Sequence, residues 1–218
     1  MTDGQFPDTA KQLSSVDRAV TADDNGSTIS TSARLSQVYN TSVADLWEAC
    51  TTAERLSRWF GNVSGDLVLG GEYHIEGNAS GTVETCDPPT SFALTWKYGD
   101  EITHLTVRIE EVAEEKSRLV IEHSGDIDPD RWTQYGPGAV GIGWDLGLLG
   151  LALHLETGAD APAETSEWAQ TDAARQFMSE SSRRWADAHI AAGASRDAAR
   201  SAEMRTTAFY LGTDVPES

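Results

Sequence analysis

From Ser27 onward, apolar and polar positions follow patterns that predict a definite series of elements. Ile29, Ala33, Leu35 and Tyr39 fall on one parity, as a half-buried strand requires. Asn40-Thr41-Ser42 supplies cap residues, and Val43 to Cys50 reads as a short helix. A second short helix runs from about Thr52 to Phe60 and stops at Gly61. Turn-punctuated strands follow: Asp66 to Leu69, Glu72 to Glu76, Gly81 to Thr85, Ser91 to Tyr98, Ile102 to Val112 and Arg118 to His123. Gly70-Gly71, Gly77-Asn78, Asp87-Pro88-Pro89, Gly99-Asp100 and the charged Glu114 to Ser117 separate them, which implies an antiparallel meander.

Beyond Ser124-Gly125, a stretch rich in Asp, Pro and Gly reads as a loop to Gly138. Gly141 to about Glu156 then reads as an apolar helix, with Trp144, Leu148, Leu151 and Leu155 on one face. Gly143, Gly147 and Gly150 weaken that helix intrinsically but permit close approach to a sheet. Strand, two helices, sheet and long helix in that order define an α+β class.

Residues 1–26 are polar and aperiodic and read as a flexible arm. The main domain is expected over 27–156, a linker over 157–163, a helical extension over 164–212 and a tail over 213–218. The extension reads as two helices broken at Gly193, with Ser195 as an N-cap. Trp168, Phe177, Met178 and Trp185 give it an incomplete apolar stripe, too little to fold alone. These helices therefore pack on the main domain in cis, or on a second copy as a homodimer.

Charge narrows the partners. A net charge of -19 opposes nucleic acid, whose recognition needs clustered Lys and Arg, and opposes anionic membrane surfaces. The chain's start lacks the basic and apolar pattern of a secretory signal, and no uninterrupted apolar run reaches the length of a membrane span. The expected location is the cytoplasm, without membrane insertion. Cys50 and Cys86 have no zinc-type or CxxC spacing and read as reduced thiols.

No familiar catalytic or cofactor motif is present, and His74, His104, His123, His154 and His189 lack metal-ligand spacing, so neither cofactor nor metal is expected. His123 shares its parity with Leu119 and Ile121, which puts it on the apolar side of its strand. There it could bond a ligand, act as acid or base, or be a satisfied core histidine. His74 and His104 fall on solvent parity, His154 is ambiguous, and Glu72, Glu76, Arg108 and Glu110 read as a solvated sheet face.

Taken in order, several pieces resemble the START-like superfamily, in the branch similar to the activator of heat shock protein 90 ATPase. They are Val43 to Ala49, Trp59-Phe60-Gly61, Gly70-Gly71-Glu72-Tyr73, Gly81 to Glu84 with Asp87-Pro88-Pro89, Phe92 to Trp96, Arg118 to Gly125, and Gly143-Trp144. The resemblance covers about residues 28–156. It implies a helix-grip fold, a curved antiparallel sheet wrapped on a long C-terminal helix, with a cavity between them.

A small apolar or aromatic molecule would then be bound by Trp59, Phe60, Tyr73, Ile75, Phe92, Leu94, Trp96, Leu105, Val107, Ile121, His123, Trp144, Leu148 and Leu151. The same side chains would also build an ordinary core. The alternatives are an enzyme of cyclase, dehydratase or hydrolase type using His123 or a tyrosine, and a protein-interaction module. That module would be similar to the chaperone ATPase activators, although the separate chaperone-binding domain of the eukaryotic activators has no counterpart in the short acidic arm, which weighs against chaperone binding.

Overall fold

The computed structural model describes residues 8–161 and 167–215. The end of the expected linker and the first residues of the extension, 162–166, lie outside this set, as do residues 1–7 and 216–218.

Helix α1 (Thr9–Ser14) and strand β1 (Val16–Asp24) come first, followed by β2 (Ile29–Tyr39), α2 (Val43–Thr51) and α3 (Ala53–Trp59). Strands β3 (Val63–Gly65), β4 (Glu72–Ile75), β5 (Ser80–Asp87), β6 (Ser91–Tyr98), β7 (Glu101–Ala113) and β8 (Lys116–Ile127) then run in sequence. Helices α4 (Pro129–Tyr135), α5 (Gly138–Thr157), α6 (Asp172–Ala191) and α7 (Arg196–Leu211) complete the chain, with a 3-10 turn at Glu167–Gln170. The strands form one open sheet in the order β1-β2-β8-β7-β6-β5-β4-β3, and β3 to β8 pair antiparallel with their sequence neighbours. This is the α+β meander that the alternation predicts.

Caps explain several boundaries. Ser42 accepts the Asp45 N–H at the start of α2, and Ser195 accepts the Ala198 N–H at the start of α7, as its position predicts.

Three expectations are corrected. The stretch read as a flexible arm carries α1 and β1. Asp8 caps α1 through two backbone N–H groups, and Val16 and Val20 are buried on one parity of β1. The loop expected before Gly138 contains α4, because Asp128 accepts two N–H groups and Pro129 opens the helix without needing a donor. The strand expected over Asp66 to Leu69 is a turn. The Val68 N–H bonds to the Asp66 carbonyl and the Gly71 N–H to the Val68 carbonyl, which leaves Val68 and Leu69 exposed; β3 lies just before it.

Contacts divide the chain into two compact units, one comprising residues 1–33, 126–149 and 162–218, the other residues 34–125 and 150–161. In the first, Leu13, Leu149 and Phe177 form one buried cluster and Ile142, Ala174 and Met178 another. Within this unit α6 lies against β1 and α1, and α7 against α4 and α6.

Its centre holds a buried ion pair. Arg18 on β1 donates through Nη2 (2.6 Å) and Nε (3.2 Å) to the Asp145 carboxylate on α5. Asp145 also accepts from Ser181 Oγ at 2.5 Å and Trp185 Nε1 at 3.1 Å, both on α6. Gly141 lets the Trp185 ring approach, since a Cβ there would sit 2.2 Å from it.

Helix α5 is buried on most of its circumference rather than along one stripe: Ile142, Asp145, Leu148, Leu149, Leu151, Ala152, Leu153 and His154 are all buried. By length and composition it could cross a membrane, yet about two-thirds of it is buried inside the protein.

Candidate functional site

In the second unit, the period-2 alternation of three central strands builds one apolar face. Register aligns Phe92 with Val107 and Val107 with Ile121; the next row aligns Leu94 with Leu105 and Leu105 with His123. All six are buried. Trp96 pairs with Thr103 in the row beyond. On the other parity His104 points outward and meets Glu84 at 3.0 Å, as solvent parity predicts.

Aromatic rings continue from these rows. The Trp96 ring lies 5.6 Å from that of His123 and 6.5 Å from that of Phe60, which in turn tilts against Trp59 at 5.3 Å. Trp47, on α2, meets Phe92 edge-on at 5.9 Å. Trp59 is tethered by its Nε1–H, which donates to the Ala49 carbonyl at 2.9 Å. Close approach of α3 to α5 depends on Gly150, where a Cβ would lie 2.7 Å from the Trp59 carbonyl oxygen.

His123 is the polar group of this face. It is buried, and its Nε2 lies 2.7 Å from Thr103 Oγ1, which in turn donates to the Trp96 carbonyl at 3.2 Å. Burial lowers the imidazole pKa to about 4, so the ring is neutral at pH 7.

Tyr73 and Ile75 share the inward parity of β4, with Ile75 buried and Tyr73 half-buried. The Tyr73 hydroxyl donates to the Thr95 carbonyl at 2.8 Å, and burial pushes its pKa upward. That phenol is a structural donor rather than a poised acid or base.

Eleven of the fourteen expected binding residues therefore lie on β4, β6, β7 and β8 or at the end of α3 in this unit: Trp59, Phe60, Tyr73, Ile75, Phe92, Leu94, Trp96, Leu105, Val107, Ile121 and His123. Leu151 is buried on the portion of α5 that belongs to it. Trp144 and Leu148 are buried on the portion assigned to the other unit.

The sequence reading missed Trp47, Thr103 and a polar chain on the short helices. Thr41 Oγ1 donates to Asp45 (2.5 Å), Arg55 Nη1 donates to the other Asp45 oxygen (2.9 Å), and Arg55 Nε donates to His154 Nε2 (2.8 Å). Burial alone would raise the Asp45 carboxyl, but the bonds from Thr41 and Arg55 and the Arg55 charge hold it below its ordinary value. Burial first, then the Arg55 charge, lowers His154. Cys50 is a free buried thiol, pushed up to about 12 by burial and unsuited to nucleophilic work. Among the described residues no group of three or more His, Cys, Asp or Glu side chains could hold a metal ion.

An open antiparallel sheet with its inward rows, two short helices after β2 and a long apolar helix define the START-like helix-grip class. The solution structure of CalU16 from Micromonospora echinospora superposes with a TM-score of 0.66 at 24% identity, over 82% of this chain and 97% of that one. Its crystal structure gives 0.58 at 26% identity, over 79% and 97%. A conserved protein of unknown function, EF2215 from Enterococcus faecalis, gives 0.59 at 15% identity, over 83% and 95%. Comparison with curated proteins returns no match. The family model described as Activator of Hsp90 ATPase homolog 1-like protein matches residues 40–156, more than half of the chain, and the chain belongs to that family.

Proposed function

We propose that this protein binds a small apolar molecule carrying an aromatic ring, held on the inward rows of β6, β7 and β8 beside Trp96 and Phe60. The observation that carries the reading is the buried His123–Thr103 pair, set at 2.7 Å among aromatic rings. An ordinary core would satisfy its volume with aliphatic side chains at lower desolvation cost; a polar pair bounded by rings offers both area and one oriented bond to a ligand. Membership of a START-like family, whose members often bind hydrophobic ligands, supports the same reading.

Acid–base chemistry is the weaker reading. The Tyr73 proton is already given to a backbone carbonyl, and His123 is neutral and bonded to Thr103. The family description names activation of a chaperone ATPase; nothing on the inward rows is specific to such a partner.

The test is thermal-shift screening of aromatic fragments against the wild type and Leu105→Trp, which fills the central row. The expected result is stabilisation of the wild type by a subset of fragments and its loss in the variant. Equal shifts in both proteins would overturn the reading.

A further inference from the structure

Helix α3 is weakly held by its own sequence. Its seven residues bury no side chain, and Thr52 makes no side-chain capping bond at its start. Its position therefore depends on polar attachments. Trp59 Nε1 donates to the Ala49 carbonyl at 2.9 Å, and the Arg58 carbonyl accepts from the Ala161 N–H at 2.6 Å. Arg55 Nη1 donates to Asp45 at 2.9 Å, and Arg55 Nε donates to His154 Nε2 at 2.8 Å.

The last of these four bonds is conditional on charge. A guanidinium has only donors, so His154 must present a lone pair on Nε2, and its ring is neutral with the proton on Nδ1. A proton on Nε2 would set two donors and two positive charges against each other at 2.8 Å. The groups facing the imidazole are Arg55 and Arg58 from α3, Asp45 from α2 and the Ala159 backbone after α5. Burial, then the two arginine charges, oppose protonation more than Asp45 and Ala159 favour it, so the ring titrates below its ordinary 6.5. Asp45 stays ionised: burial would raise its carboxyl, but the Thr41 and Arg55 bonds hold it below its ordinary value.

We propose that Arg55 and His154 form an acid-sensitive latch. While neutral, the imidazole pins α3 to the end of α5; on taking a proton at Nε2 it releases α3, with the Trp59 and Phe60 rings at its end. Those rings begin the aromatic row that runs through Trp96 to His123, and the latch acts on them whether or not a ligand binds there. The released state takes up the proton at the ordinary pKa and the latched state at a lower one. Latching is therefore complete above about pH 6.5 and weakens as pH falls below it.

The experiment is hydrogen-exchange NMR of the isotopically labelled full chain from pH 7.5 to 4.5, each rate divided by that of the unfolded chain at the same pH. The reporters are the Leu56 and Phe60 amides, bonded to the Thr52 and Leu56 carbonyls, and the Trp59 indole. Their protection is expected to fall about tenfold per pH unit below about 6.5, levelling where His154 itself titrates. The Arg55 Nε–H signal should fade in step, and His154 should carry its proton on Nδ1 at pH 7.5. His154→Gln keeps an acceptor for Arg55 but cannot titrate, so it should lose the pH dependence; His123→Phe should retain it.

Constant protection across this range, a proton on Nε2 at pH 7.5, or a fall that persists in His154→Gln would overturn the latch. Should that variant not fold, the wild type decides alone, since a loss of protection that fails to level where His154 titrates also overturns it.

Discussion

Replacing Asp145 with Asn retains the shape of the side chain and removes its charge. Arg18 then keeps a buried guanidinium, 5% exposed, opposite a neutral amide that is wholly buried. Ser181 and Trp185 lose their charged acceptor in the same step. Breaking a buried pair from one side costs about 3–5 kcal/mol, against at most about 1 kcal/mol for an exposed pair. In a chain of this size that range corresponds to roughly 6–20 °C in Tm, taking about 2–4 °C per kcal/mol. Urea unfolding followed by tryptophan fluorescence measures the loss, and an unchanged denaturant slope confirms that stability rather than compactness changed. Arg18→Met combined with Asp145→Leu should recover most of it, since an apolar replacement removes the stranded charge. A loss below about 1 kcal/mol for Asp145→Asn, or a double variant no more stable than the single, would refute this account of the pair.

Other expectations follow from the same physics. His123 has a folded pKa of about 4 against an ordinary value of 6.5, so the unfolded chain takes up the proton first. Stability should therefore fall as pH drops from about 6.5 to 4, by about 3 kcal/mol from this group, with the buried His154 and the half-buried His189 acting in the same direction. Urea titrations between pH 4 and 7.5 should show a flatter slope for His123→Phe; an unchanged slope would contradict the assignment. Gly141→Ala gains about 1 kcal/mol of helix propensity but drives a methyl into the Trp185 ring, for a net loss of about 1–2 kcal/mol by chemical denaturation. Tyr73→Phe should cost about 0.5–1.5 kcal/mol through its lost bond to the Thr95 carbonyl while leaving fragment affinity unchanged. A fall in affinity there would return the tyrosine to the binding chemistry.

The central rows were legible because period-2 alternation is a local property. Phe92 and Leu94, Leu105 and Val107, and Ile121 and His123 each declare their face within their own strand, as His104 declares the other. Their partners were not legible. Thr103 gains its importance only from register, which sets it opposite Trp96, and from its contact with His123, 20 residues away.

The tail helices show a different limit. The stripe of Phe177, Met178 and Trp185 looked incomplete because Ser181 and Ser182 fill its gap, and serines read as surface. They are buried because one bonds Asp145 and the other the Glu203 carbonyl. Asp145 itself was the available signal: a carboxylate set in the apolar middle of a long helix must find a cation. That cation, Arg18, lay 127 positions away in a stretch whose Asp and Thr content masked the alternation of Val16 and Val20.

The most direct test of the ligand-binding account is protein-observed NMR of the isotopically labelled full chain, titrated with a library of neutral aromatic fragments. The account predicts saturable shifts that cluster at Phe92, Leu94, Trp96, Leu105, Val107, Ile121 and His123. Saturable binding mapped elsewhere, or no perturbation of these residues by any fragment, would contradict it.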